Sequence, residues 1–169
     1  MNKPDVWPQF KLPLIIAGAF LLAAVWILFG RLFFGVFGWM FFILLFTIVP
    51  LIFVYAVALT IVVAIRQRKH LYRMKGPFMM AVYVTLFALF MLGLSVPDGG
   101  DTKDSGGSAL AVLMGNRSGE AALATSGTVA GWSIFIAFVA SITAFILAFF
   151  ERTKREVEVS SKGSLKQSN

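Results

Sequence analysis

Four long stretches of this chain, residues 12–30, 32–65, 76–96 and 132–150, contain no Asp, Glu, Lys, Arg or His. A helix rises about 1.5 Å per residue and the hydrocarbon layer of a bilayer is about 30 Å thick, so roughly 20 such residues cross it. The chain has 169 residues, of which 59% are hydrophobic and 14% charged, and its mean hydropathy is +0.84. That is too apolar for a water-soluble domain of this size. The predicted fold class is all-α: a polytopic membrane protein built as a four-helix transmembrane bundle.

Taken in order, residues 1–11 hold Lys3, Lys11, two prolines and Trp7, and read as an irregular arm at the headgroup level with Trp7 and Phe10 as interfacial anchors. The first span is read as 12–30. Its Ala17-Gly18-Ala19 triplet falls near the start of the apolar run, where a signal-peptidase site would not lie, so the segment reads as a retained anchor. The second run, 32–65, is too long for one perpendicular span. We expect an aromatic turn at 33–38, then a span over 39–65 kinked at Pro50, since proline removes one backbone bond from a helix. A re-entrant hairpin at Pro50 is the competing reading. A basic loop over 66–76 follows, then a third span over 77–96 with Pro77 in its first turn. The segment 97–131, rich in Gly, Ser, Asp and Thr, reads as a long outer loop with short surface helices at 109–114 and 120–124. The fourth span is read as 132–150. Residues 151–169 read as a helix extension followed by a disordered tail.

Charge sets the orientation. Lys and Arg number two in the arm, five in the central loop and five in the tail, against one at Arg31 and two in the long loop. Alternate segments therefore carry twelve against three. The positive-inside rule then predicts that both termini and the central loop are cytoplasmic, at the plasma (inner) membrane. The net charge of +7 is accounted for by this placement, and no nucleic-acid partner is expected. Arg66, Arg68, Lys69, Arg73 and Lys75 also form a cationic stretch suited to anionic lipid headgroups.

Helices in lipid associate by close backbone approach, so small residues at helical spacing mark packing faces. Ser133, Ala137, Ser141, Ala144 and Ala148 form such a seam in the fourth span. Ala81, Thr85, Ala88 and Ser95 form one in the third, and Ala56, Thr60 and Ala64 a shorter one in the second. Seven phenylalanines between Phe29 and Phe46 read as an interfacial belt and lipid-facing filler.

The sequence offers little to catalysis. The chain has no cysteine and one histidine, His70 in the basic loop, which excludes thiolate metal sites, iron–sulfur clusters and a bis-histidine haem. Asp98, Asp101 and Asp104 do not follow the calcium-loop pattern and are read as solvating the outer loop. No serine lies in a G-x-S-x-G elbow. The expectation is a non-enzymatic integral membrane protein with no cofactor or metal, acting as an accessory, assembly or scaffolding subunit beside a larger membrane-protein partner or by self-association. Two alternatives stand beside it. One is a small homo-oligomeric channel or transporter with Thr85, Ser95, Ser133 and Ser141 along its path, and the other a holin-like permeabilising protein.

Overall fold

The computed structural model describes residues 7–36, 38–68, 76–98, 107–115 and 119–150. It is all-helical apart from one isolated backbone bridge, and four of its helical segments are long and apolar enough to cross a membrane. Helix α1 is Trp7–Phe29, followed by a 3₁₀ turn at Gly30–Phe34. Then come α2 (Met40–Phe46), α3 (Ile48–Arg68), α4 (Gly76–Ser95), α5 (Ala109–Leu113) and α6 (Glu120–Phe150).

Helix α1 starts inside the stretch expected to be an irregular arm, and Pro13 lies within it. The 3₁₀ turn ends at Gly35, whose φ of 65° lies in the left-handed region that suits glycine. Gly35 and Val36 donate their N–H groups to Leu32 and Arg31 carbonyls, so the last carbonyls of the turn are used.

The second apolar run forms one candidate span, Met40–Arg66, as expected, with its helix interrupted at Thr47, three residues ahead of Pro50. Pro50 falls in the first turn of α3, where its missing N–H costs nothing, and its ring conflicts with the carbonyl four residues back, at Phe46. The chain therefore breaks just ahead of the proline, and Thr47 closes α2 with a 2.5 Å bond from its Oγ1 to the Ile43 carbonyl. Beyond Pro50, α3 runs unbroken to Arg68, so the re-entrant hairpin is not formed.

Helix α6 begins at Glu120, twelve residues before the expected start of the fourth span, and its 31 residues extend about 46 Å. Gly127 and Gly131, which suggested a loop, are accommodated in it because one face is packed. The buried positions are Ala122, Ser126, Ala130, Ser133, Ala137, Ala140, Ala144 and Ala148, at steps of three and four.

The long helices pack in the order α3, α1, α4, α6, with α4 and α6 in the most extensive contact and α3 and α6 only grazing each other. Helix α4 is the most enclosed, with half of its apolar window buried. One core joins Phe20 and Ile27 of α1, Leu59 and Val63 of α3, Phe78 and Leu92 of α4, and the alanine face of α6. Trp26 locks α1 to α4. Its ring stacks on Phe90 at 4.8 Å and its Nε1 donates to the Phe90 carbonyl at 3.1 Å. A Cβ at Gly93 would come within 2.8 Å of that ring, and one at Gly30 within 2.7 Å, so both glycines make room for the indole.

Candidate functional site

The polar centre of the molecule lies where the 3₁₀ turn, α2 and the end of α4 meet. Arg31 and Asp98 are buried there, with side chains 3% and 1% exposed and Arg31 Nη2 3.0 Å from Asp98 Oδ2. Nη2 directs its hydrogen bond at the Val96 carbonyl, 3.0 Å away. Its approach to Oδ2 is therefore an ion pair without a well-aimed hydrogen bond, which accounts for Oδ2 having no hydrogen-bond partner despite the short distance. The other carboxylate oxygen, Oδ1, accepts from the Met40 N–H at 3.1 Å, one of the donors that the start of α2 cannot satisfy within the helix. Asp98 also pairs its backbone with Gly107, with N–H to carbonyl distances of 2.6 and 3.0 Å in the two directions. One charge pair thus connects four segments.

Gly107 leads directly into a second polar clasp. Ser108 caps α5, its Oγ accepting from the Ala111 N–H at 2.9 Å, and donates to Ser126 Oγ of α6 at 2.7 Å. Both serines are fully buried. The stretch around α5 is therefore packed against the helices, with Ala109 and Ala111 also buried.

Two sequence expectations are corrected here. The sequence places Asp98 in a solvating loop, whereas in the structure it is a buried ion-pair partner, because Arg31 supplies the opposite charge that makes its burial tolerable. The sequence gives Arg31 only a part in orientation, whereas in the structure it is packed at the end of the first apolar segment. Asp101 and Asp104 lie outside the described residues.

Of the expected packing residues, Ser133, Ala137, Ala144 and Ala148 on α6 and Ala81, Thr85, Ala88 and Ser95 on α4 are buried. Thr85 and Ser95 donate back to the Ala81 and Met91 carbonyls of their own helix, at 2.9 and 2.7 Å. Ser141 sits at the margin of the α6 seam, where its carbonyl accepts from Tyr55 Oη at 3.0 Å. On α3 the buried stripe is Ile52, Ala56, Leu59 and Val63, rotated from the expected Ala56, Thr60, Ala64 line so that only Ala56 is shared. Arg66 donates to the Phe149 carbonyl and lies over the Phe149 ring, 5.9 Å from its centroid. Arg68 is the last residue of α3, while Lys69, His70, Arg73 and Lys75 lie outside the described residues, as do the tail and the first six residues.

Because α3 and α6 make little direct contact, a cleft of about 410 Å³ opens between them. Ile48, Leu51 and Tyr55 form one wall and Ile134, Phe138 and Ile142 the other, over a floor that includes Phe20 and Leu89. Tyr55, edge-on to Phe20 at 5.2 Å, ties the two walls together through Ser141. Sequence reasoning missed this cleft, since it depends on how far apart two helices stand.

Neither a protein-family model, a curated protein nor a solved structure matches the chain.

Proposed function

We propose that this protein is a non-enzymatic, multi-pass membrane protein that acts as an accessory or scaffolding subunit beside a larger membrane-protein partner. The observation that carries this reading is the use made of its polar groups. Arg31 and Asp98, the residues whose burial would ordinarily suggest a transport or catalytic role, hold the 3₁₀ turn, α2, the end of α4 and Gly107 together. Ser108 and Ser126 fasten α5 to α6, and Thr85 and Ser95 are turned onto their own helix. This is the arrangement of a molecule whose task is to keep a shape.

In this reading the termini and the Arg66 end face the cytoplasm and the Arg31–Asp98 end faces outward, in the cell membrane, as the distribution of Lys and Arg favours. Aromatic side chains around the outward end, Phe33, Trp39 and Phe46, are 85%, 64% and 75% exposed. They give a partner helix an apolar surface rich in the residue types that anchor interfaces. Extraction of the tagged chain from its native membrane in mild detergent, followed by mass spectrometry, tests the proposal. A membrane protein recovered at fixed stoichiometry is expected. Recovery as a monomer or a homo-oligomer alone would contradict it and move the weight to a channel or transporter.

A further inference from the structure

The cleft between α3 and α6 has a size, a lining and a nearby cation that together select an occupant. Its volume of about 410 Å³ falls in the range of small-ligand sites, about 300–1,000 Å³. Along α6 the lining runs from Ile134 to Ile146, which is about 18 Å of helix. A single acyl chain covers about 15 Å, half of the hydrocarbon layer. The lining is predominantly aliphatic and aromatic, with Thr85 and Ser141 among it, and suits a lipid tail.

A cation lies just beyond this lining, about one helical turn past Ile146 on α6. Phe145 lines the cleft and lies 6.1 Å from Phe149, and the Arg66 guanidinium sits over that Phe149 ring. A guanidinium presents a planar fork of N–H donors that matches a phosphate, and its bond to the Phe149 carbonyl uses only part of that capacity.

We propose that this cleft is a specific lipid site, holding one acyl chain of an anionic phospholipid with its phosphate against Arg66. The site needs only that the chain lies in a bilayer. It depends neither on a protein partner nor on which end faces the cytoplasm, so failure of the subunit reading leaves it standing.

The test is native mass spectrometry of the full chain, stripped with detergent and then titrated with dioleoyl phosphatidylglycerol or with dioleoyl phosphatidylcholine. The parent is expected to retain one phosphatidylglycerol per chain in preference to phosphatidylcholine. Ile142→Trp places an indole in the cleft from a position that is 44% exposed and is expected to abolish retention of both lipids. Leu51→Trp, from the opposite wall and 67% exposed, serves if the first variant does not fold. Arg66→Gln is expected to lower phosphatidylglycerol affinity roughly fivefold, the effect of one cation at an anionic headgroup, and to erase the preference over phosphatidylcholine. Equal retention of the two lipids by the parent, or undiminished retention by a folded tryptophan variant, would overturn the proposal in favour of a non-specific lipid annulus. Loss of a bound protein segment rather than of lipid in the tryptophan variants would overturn it in favour of a peptide occupant.

Discussion

Arg31 and Asp98 set the energetic stakes at the scale of single residues. Taking two charges out of water is costly, and the mutual attraction offsets that cost only while both are present. Asp98→Ala leaves the Arg31 guanidinium, 3% exposed, without its counter-charge and the Met40 N–H without its acceptor. We expect a loss of about 3–5 kcal/mol, read as a lower unfolding midpoint in detergent micelles. The double variant Arg31→Met, Asp98→Leu should recover the part of that loss due to the uncompensated charge, while the Met40 N–H and the Val96 carbonyl stay without these partners. An unchanged midpoint for Asp98→Ala would mean that the pair does not organise this end of the molecule. Gly93 is a second sensitive position. Its Cα faces the Trp26 ring, and Gly93→Leu should cost about 1–3 kcal/mol by overpacking. At Gly18, where an added Cβ meets nothing within 4 Å, Gly18→Ala should not lower the midpoint.

The elements divide according to what their sequences display. The apolar runs announce α1, α3, α4 and the membrane-length part of α6, because a charge-free stretch of that length has few other uses. The short helix at Ala109–Leu113 was also visible in the sequence. The start of α6 was visible as a short helix at 120–124, but its continuation into the fourth span was not, since Ser126, Gly127, Thr128 and Gly131 all favour loops by local preference. Tertiary packing overrides that preference. Ala122, Ser126 and Ala130 repeat every four residues and prolong the small-residue seam of Ser133 and Ala137, a signal present in the sequence but masked by its glycines. The Arg31–Asp98 pair was illegible for a different reason: its members stand 67 positions apart, and nothing local couples them. At Pro50 the expected disturbance occurs, but as an interruption at Thr47 with the proline in the opening turn of α3. Pro50→Ala restores a donor to the Phe46 carbonyl and should fuse α2 with α3. Hydrogen exchange at residues 47–51 should slow, whereas unaltered exchange would show that Thr47, through its bond to Ile43, breaks the helix by itself. Removing the cap and clasp with Ser108→Ala should cost about 0.5–2 kcal/mol and loosen α5 first, seen as faster exchange at the Ala111 amide.

For the whole molecule, the helix order α3, α1, α4, α6 leaves two outer helices that nearly close a ring but make little direct contact where the cleft lies. At one end Arg31 ties α1 to the end of α4, and at the other Arg66 of α3 reaches Phe149 of α6. The ends of α3 and α6 therefore lie together, opposite the charge pair, as four successive crossings of a bilayer require. The central claim, that the chain crosses the membrane four times with both termini on the side of Arg66, can be tested directly because the protein has no cysteine. Single substitutions Ser164→Cys in the tail and Ser105→Cys in the segment after Asp98 are to be labelled with a membrane-impermeant maleimide in intact cells and in permeabilised ones. The account predicts that Ser105→Cys labels in intact cells and that Ser164→Cys labels only after permeabilisation. Labelling of both from outside, or of Ser164→Cys alone, would contradict it.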